Sequence, residues 1–116
     1  MSTKDVADHH LQAFLAGDLE ETMRDYSDES VFISANGIAR GREEISAVFT
    51  RLYGSIFAPG TYTFTLDFDH AEGDVATTIW HADCAGANIP IGTDTLVIRD
   101  GVIVTQTVAL KVEPKA

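Results

Sequence analysis

Thr61-Tyr62-Thr63-Phe64-Thr65-Leu66-Asp67-Phe68-Asp69 alternates apolar and polar side chains without a break. A period of two puts Tyr62, Phe64, Leu66 and Phe68 on one face of a strand, with the threonines and aspartates on the other. That is the signature of an antiparallel strand with one wet side. Downstream, Glu72-Gly73-Asp74 reads as a turn into a second strand over residues 75–85. A third strand is predicted over 91–99. Asp100-Gly101 is a tight hairpin turn leading to a fourth strand over 102–112. Upstream the period becomes helical. Ile45, Val48, Phe49 and Leu52 form one stripe of a helix over 42–53, closed by Gly54 and by Pro59-Gly60. Val6, His10, Ala13 and Phe14 share a face of a helix over 5–16 that Gly17 caps. Asp18 then caps a helix over 19–26. A short strand over 30–35, an Asn36-Gly37 turn and a return strand over 38–40 complete the first half, and residues 113–116 are predicted to fray.

Helices first and a long strand meander after them imply an α+β domain whose helices cover one face of a curved sheet. A chain of 116 residues suffices for one core and one domain, residues 1–116. A net charge of −10 disfavours nucleic acid, anionic membranes and highly phosphorylated ligands. Arg40, Arg42 and Arg51 read as surface ion pairs rather than anion clamps. One cysteine, Cys84, allows no internal disulfide and is compatible with a reducing compartment. The N-terminus lacks the apolar stretch of a signal peptide, and no apolar run approaches the roughly 20 residues that span a bilayer. A cytoplasmic location is therefore expected. His9, His10, His70 and His81 lack metal-ligand spacing, so neither a metal nor another cofactor is expected.

Several blocks carry a resemblance. Ala16-Gly17-Asp18-Leu19 with Tyr26-Ser27-Asp28-Glu29-Ser30-Val31 resembles the opening of ketosteroid isomerase and its relatives. Gly41-Arg42-Glu43-Glu44-Ile45 is similar to that family's entry into its third helix. Trp80-His81, Ile89-Pro90-Ile91-Gly92-Thr93-Asp94 and Arg99-Asp100-Gly101-Val102-Ile103 resemble the ending of SnoaL-like proteins. The blocks keep their order over nearly the whole chain. The resemblance implies the NTF2-like fold: a cone-shaped barrel in which a curved, mixed or antiparallel sheet wraps three N-terminal helices around one small-molecule pocket. Isomerases, cyclases, hydrolases, dehydratases and non-catalytic proteins share that fold, so it does not fix the chemistry.

The resemblance also implies site residues. Where ketosteroid isomerase has an oxyanion-donating tyrosine, its aspartate base and a protonated aspartic acid, this chain has His10, Ser34 and Asp94. Serine is no base near neutral pH, which argues against classical steroid isomerisation. Where SnoaL-like cyclases place an acid–base pair, this chain has Asp94 and His81. Asp94 shares a strand face with Leu96 and Ile98, where burial would raise its pKa. His81 is assigned to the inward face with Val75, Thr77 and Ile79, and Trp80 to the outer face. His10 rather than His9 is expected to enter the pocket, because adjacent helical residues diverge by about 100°. Catalytic candidates are thus Asp94, His81 and His10. The expected wall comprises Phe14, Tyr26, Phe32 and Ser34 from the first half, with Val48, Phe49 and Leu52 from the third helix. Ile79, Leu96, Gln106 and Val108 complete it from the strands.

The expected activity is cofactor-independent acid–base chemistry, of isomerase or cyclase type, on a mostly apolar substrate bearing oxygen. The rival is a non-catalytic ligand-binding or dimerisation module; an epoxide hydrolase resembling the limonene enzyme ranks third, because no arginine accompanies Asp94 on its strand face. A homodimer through the outer sheet face is expected, to cover Trp80, Val97 and their neighbours.

Overall fold

A computed structural model describes residues 1–116. Its elements are α1 (Thr3–Ala16), α2 (Leu19–Met23), β1 (Tyr26–Ser34), β2 (Gly37–Arg40), α3 (Gly41–Tyr53), β3 (Tyr62–Glu72), β4 (Val75–Cys84), β5 (Ala87–Arg99) and β6 (Val102–Pro114). The six strands form one mixed sheet in the order β2-β1-β6-β5-β4-β3. Only β1 and β6 run parallel. The sheet stays open, with β2 and β3 as edges, so the expected cone is a half-cone rather than a closed barrel. The α+β architecture, three helices and one mixed sheet, is as the sequence implied. No helix is long and apolar enough to cross a membrane.

Local chemistry sets the element ends. Ser2 and Asp5 form a capping box at the start of α1, and Gly17 ends it in the left-handed region at φ 65°. Asp18 accepts the Glu21 amide to open α2. That helix stops at Met23, and Tyr26 opens β1 instead of closing the helix. Asp100 and Gly101 both take positive φ (53° and 75°), as a tight hairpin between paired Arg99 and Val102 requires. In the first hairpin Ser34 pairs with Gly37, which places the turn on Ala35 and Asn36, one residue earlier than predicted. The tail does not fray. Lys115 donates its amide to the Gly86 carbonyl and its ammonium to the Cys84 carbonyl and the Asp83 carboxylate.

Inside the sheet, Val6, Ile45, Phe49 and Ile103 are fully buried between α1, α3 and the strands. A second cluster gathers Phe57, Trp80, Ala82, Cys84 and Ile89. His9 ties α1 to the corner between α2 and β1. Its Nδ1 lies 2.8 Å from Asp25 Oδ2, and its Nε2 lies 2.7 Å from Glu21 Oε1.

The face assignments of β3 and β4 depart from the sequence reading. Thr65 pairs with His81 and Leu66 with Trp80, but Phe68 pairs with Ile79, so Asp67 is one extra residue in β3. The bulge reverses the alternation beyond it. Tyr62, Phe64 and Leu66 face the helices, whereas Phe68 joins the outer face. In β4 the inward residues are Ala76, Thr78, Trp80, Ala82 and Cys84. Val75, Thr77, Ile79 and His81 therefore point outward, the opposite of the expected parity. The small inner side chains of Ala76 and Thr78 border the hollow described below, and Trp80 forms part of its wall.

Gly92 makes room for that tryptophan. It is the cross-strand partner of Trp80, and a Cβ on it would overlap the indole ring. Gly92→Ala is expected to destabilise the fold by about 1–3 kcal/mol, the usual cost of overpacking. Urea unfolding measures this, and a stability unchanged from wild type would contradict so close an approach.

Candidate functional site

Between the helices and the inner sheet face lies a hollow of about 280 Å³, lined mainly by apolar side chains. Phe14, Phe32, Ser34, Val48, Phe49 and Leu52 line it as expected, as do Leu96, Gln106 and Val108. Asp94 and His10 also line it. Exposed lining residues mark the mouth: Asn36, Gly37, Ile38, Arg51 and Leu110, from the β1–β2 turn and the start of β2, the last turn of α3 and the second half of β6.

Asp94 is the one carboxyl group on this lining. Strand register explains its partners. Trp80 pairs with Gly92 and Gln106 with Leu96, so both sit diagonally from Asp94 on the same face. Trp80 Nε1–H donates to Asp94 Oδ1 at 3.0 Å, and Gln106 Nε2 donates to Oδ2 at 3.0 Å. Behind Gln106, the Tyr26 hydroxyl donates to its Oε1. That bond fixes the amide with its NH₂ toward Asp94. Tyr26 and Gln106 are 4% and 1% exposed, so their hydrogen bond is formed in a buried setting. Burial pushes the Asp94 carboxyl above its ordinary pKa, while the bonds from Trp80 and Gln106 pull it part of the way back.

The adjacent histidines of α1 meet opposite environments. His10 is buried and lies edge-on to Tyr26 and Phe49, with centroids 5.9 and 6.0 Å away. Its Nδ1 is enclosed with no hydrogen-bond partner. Burial, and secondarily the charge on His9, lower its pKa to about 4, so the ring is neutral at pH 7. His9 is raised instead, first by its bond to Glu21 and then by that to Asp25.

Three expected site residues lie elsewhere. His81 is on the outer face, half-exposed, with Nδ1 2.7 Å from Asp67 Oδ2. It is separated from Asp94 by the sheet itself, so the anticipated acid–base pair does not form. Ile79 shares that outer face. Tyr26 lies behind the lining and reaches the site through Gln106. The largest residue missed is Trp80, assigned to the outer face and found inside. Phe64 stacks on it at 5.1 Å, and Phe57 meets it edge-on at 6.0 Å. Gly92 was the available signal, because a glycine inside a strand marks a close approach. Arg51 was missed as well. It reads as a surface ion pair in sequence, yet makes no salt bridge and stands at the mouth.

Comparison with known proteins gives one family model, described as SnoaL-like domain, which matches residues 7–106. No curated protein sequence matches. Among solved structures, a candidate ketosteroid isomerase from Kribbella flavida is similar at 15% identity and TM-score 0.78, covering 94% of this chain and 77% of that one. A candidate SnoaL-like polyketide cyclase from Shewanella putrefaciens has 15% identity and TM-score 0.76, covering 95% and 80%. An epoxide hydrolase of M. tuberculosis resembling limonene epoxide hydrolase has 13% identity and TM-score 0.75, covering 94% and 82%. At such identities the likeness shows the fold.

The Asp94 environment is directly measurable. Carboxyl NMR titration is expected to place Asp94 above the ordinary 3.8, and Trp80→Phe is expected to move it further up by removing a bond to the charged form. A wild-type value at or below 3.8, or no shift in the variant, would refute this account.

Proposed function

The chain belongs to the SnoaL-like domain family, and from that premise we propose that it is a cofactor-independent acid–base enzyme of isomerase or cyclase type. Its substrate is a mostly apolar molecule that carries oxygen. The observation that best supports this is Asp94, the single carboxyl lining an apolar hollow, oriented at both oxygens and raised in pKa by burial. Those are the requirements for a group that takes and returns a proton.

In this proposal the Asp94 carboxylate removes a proton from carbon next to a substrate carbonyl. The C–H electron pair forms the enolate double bond, and the carbonyl pair moves onto oxygen. For isomerisation, the carboxyl returns the same proton to a different carbon. For aldol-type closure, the enolate carbon attacks a second carbonyl and the resulting alkoxide takes the proton. His10, neutral at pH 7, supplies an N–H for the enolate oxygen. Trp80, Gln106 and Tyr26 are positioning residues. His81 has no part in this scheme, because it lies across the sheet. An epoxide hydrolase scheme needs a cation beside the carboxyl, whereas Asp94 has Trp80 and Gln106.

One observation favours the second reading, ligand binding without turnover: His10 is the only histidine on the lining, and its low pKa leaves Asp94 without a companion that titrates near pH 7. Proton exchange separates the two readings without knowledge of the substrate. Apolar ketones incubated with the protein in D₂O are expected to exchange their α-protons faster than without it. Asp94→Asn is expected to reduce that rate about 10²- to 10⁴-fold, while His81→Ala leaves it unchanged. Ketones that bind without exchange would establish the non-catalytic reading.

The partner is a second copy of the chain in this proposal. Phe68, Val75 and Ile91 are 50%, 41% and 49% exposed on the outer face, and they replace Trp80 as the expected contact. Light scattering is expected to report twice the 12.5 kDa chain mass, and one chain mass for Phe68→Glu with Ile91→Lys. A monomeric wild type would rule the pairing out.

A further inference from the structure

The acidic surface makes the treatment of Arg51 unusual. The chain has eight Lys and Arg against eighteen Asp and Glu. Five of those cations have a carboxylate partner. Arg42 donates to the Met23 and Tyr26 carbonyls. Arg40 lies outside the hollow. Arg51 is therefore the only Lys or Arg on the cavity lining, in a protein where acids outnumber bases by more than two to one, and it has no acidic partner. Its own helix cannot supply one. The positions three and four residues away are Ala47, Val48, Gly54 and Ser55.

We infer that the hollow takes an apolar molecule bearing one carboxylate, bound with the carboxylate at the mouth on Arg51 and the apolar body toward Asp94. This rests on the reading of the hollow as a small-molecule site and adds the charge of its occupant. A guanidinium offers two parallel N–H donors that match a carboxylate. The Asn36 amide and the Ser34 hydroxyl are on the same lining. Polarity along the hollow orients the ligand. Its anionic end is repelled by the Asp94 carboxylate and attracted to Arg51, so the end carrying a reactive carbonyl goes inward. The net charge of −10 opposes any anion at long range, but salt screens that field beyond about 10 Å at 0.1 M. A local cation then decides selectivity at the mouth.

The test uses Trp80, the one tryptophan, as reporter. Its indole lines the hollow, so its fluorescence follows occupancy. The probes are 4-cyclohexylbutanoate and its methyl ester, which share an apolar body and differ in charge. In 0.1 M salt, where the long-range field of the acidic surface is screened, the wild-type protein is expected to bind the acid about two- to fivefold more tightly than the ester, the range for a solvated charge pair. Arg51→Met is expected to abolish that preference while leaving ester affinity within about twofold, and Arg51→Lys to restore part of it. Because Arg51 is exposed, the unfolding midpoints of the variants should match wild type. Equal binding of acid and ester, or a preference that survives Arg51→Met, overturns the inference but leaves the pocket reading standing. Failure of both probes to bind overturns both.

Discussion

The desolvated carboxyl of Asp94 is the constraint around which this interior is organised. A carboxylate among aromatic and aliphatic side chains is costly unless its oxygens are satisfied. Trp80 and Gln106 satisfy one oxygen each, and each imposes a further demand. Trp80 needs a partner strand without a side chain beneath its ring, which Gly92 provides. Gln106 needs its amide held the right way round, which the Tyr26 hydroxyl provides. Tyr26 in turn must open β1 rather than end α2, so that it stands behind β6. One polar group thus links β1, β4, β5 and β6 through side chains as well as through the sheet ladder.

Much of this architecture was legible in the sequence, because period is a strong signal where burial is one-sided. The alternation after Thr61, the stripe of α3 and the Asp100-Gly101 turn each specify an element through a single physical rule. The inward direction of Asp94, Leu96 and Gln106 followed from the same rule. It failed at β4, where Val75 and Ile79 are more apolar than Ala76, Thr78 and Ala82, yet lie outside. Hydrophobicity does not choose the inner face here, because Ala76 and Thr78 border a hollow that larger side chains would fill. The exchange of Trp80 and His81 follows directly from that parity error, and so does the loss of the expected Asp94–His81 pair. The bulge at Asp67 was also invisible, since an inserted residue leaves the local alternation intact and alters only its meaning.

Two histidines adjacent in sequence show how far environment outweighs residue type. His9, between two carboxylates, is favoured as the cation, whereas His10, among aromatic rings, is favoured as the neutral base. A helix separates them by about 100°, and that rotation suffices to divide a structural tie from a cavity group.

The extra residue in β3 has a consequence for how such a domain can diversify. Upstream of Asp67 the strand's large side chains shape the interior, and downstream they shape the exterior. Substitutions at Phe64, on the hollow, and at Phe68, on the outer face, can therefore accumulate separately. One half of a single strand is free to follow a changing occupant, while the other follows whatever the back of the sheet must meet.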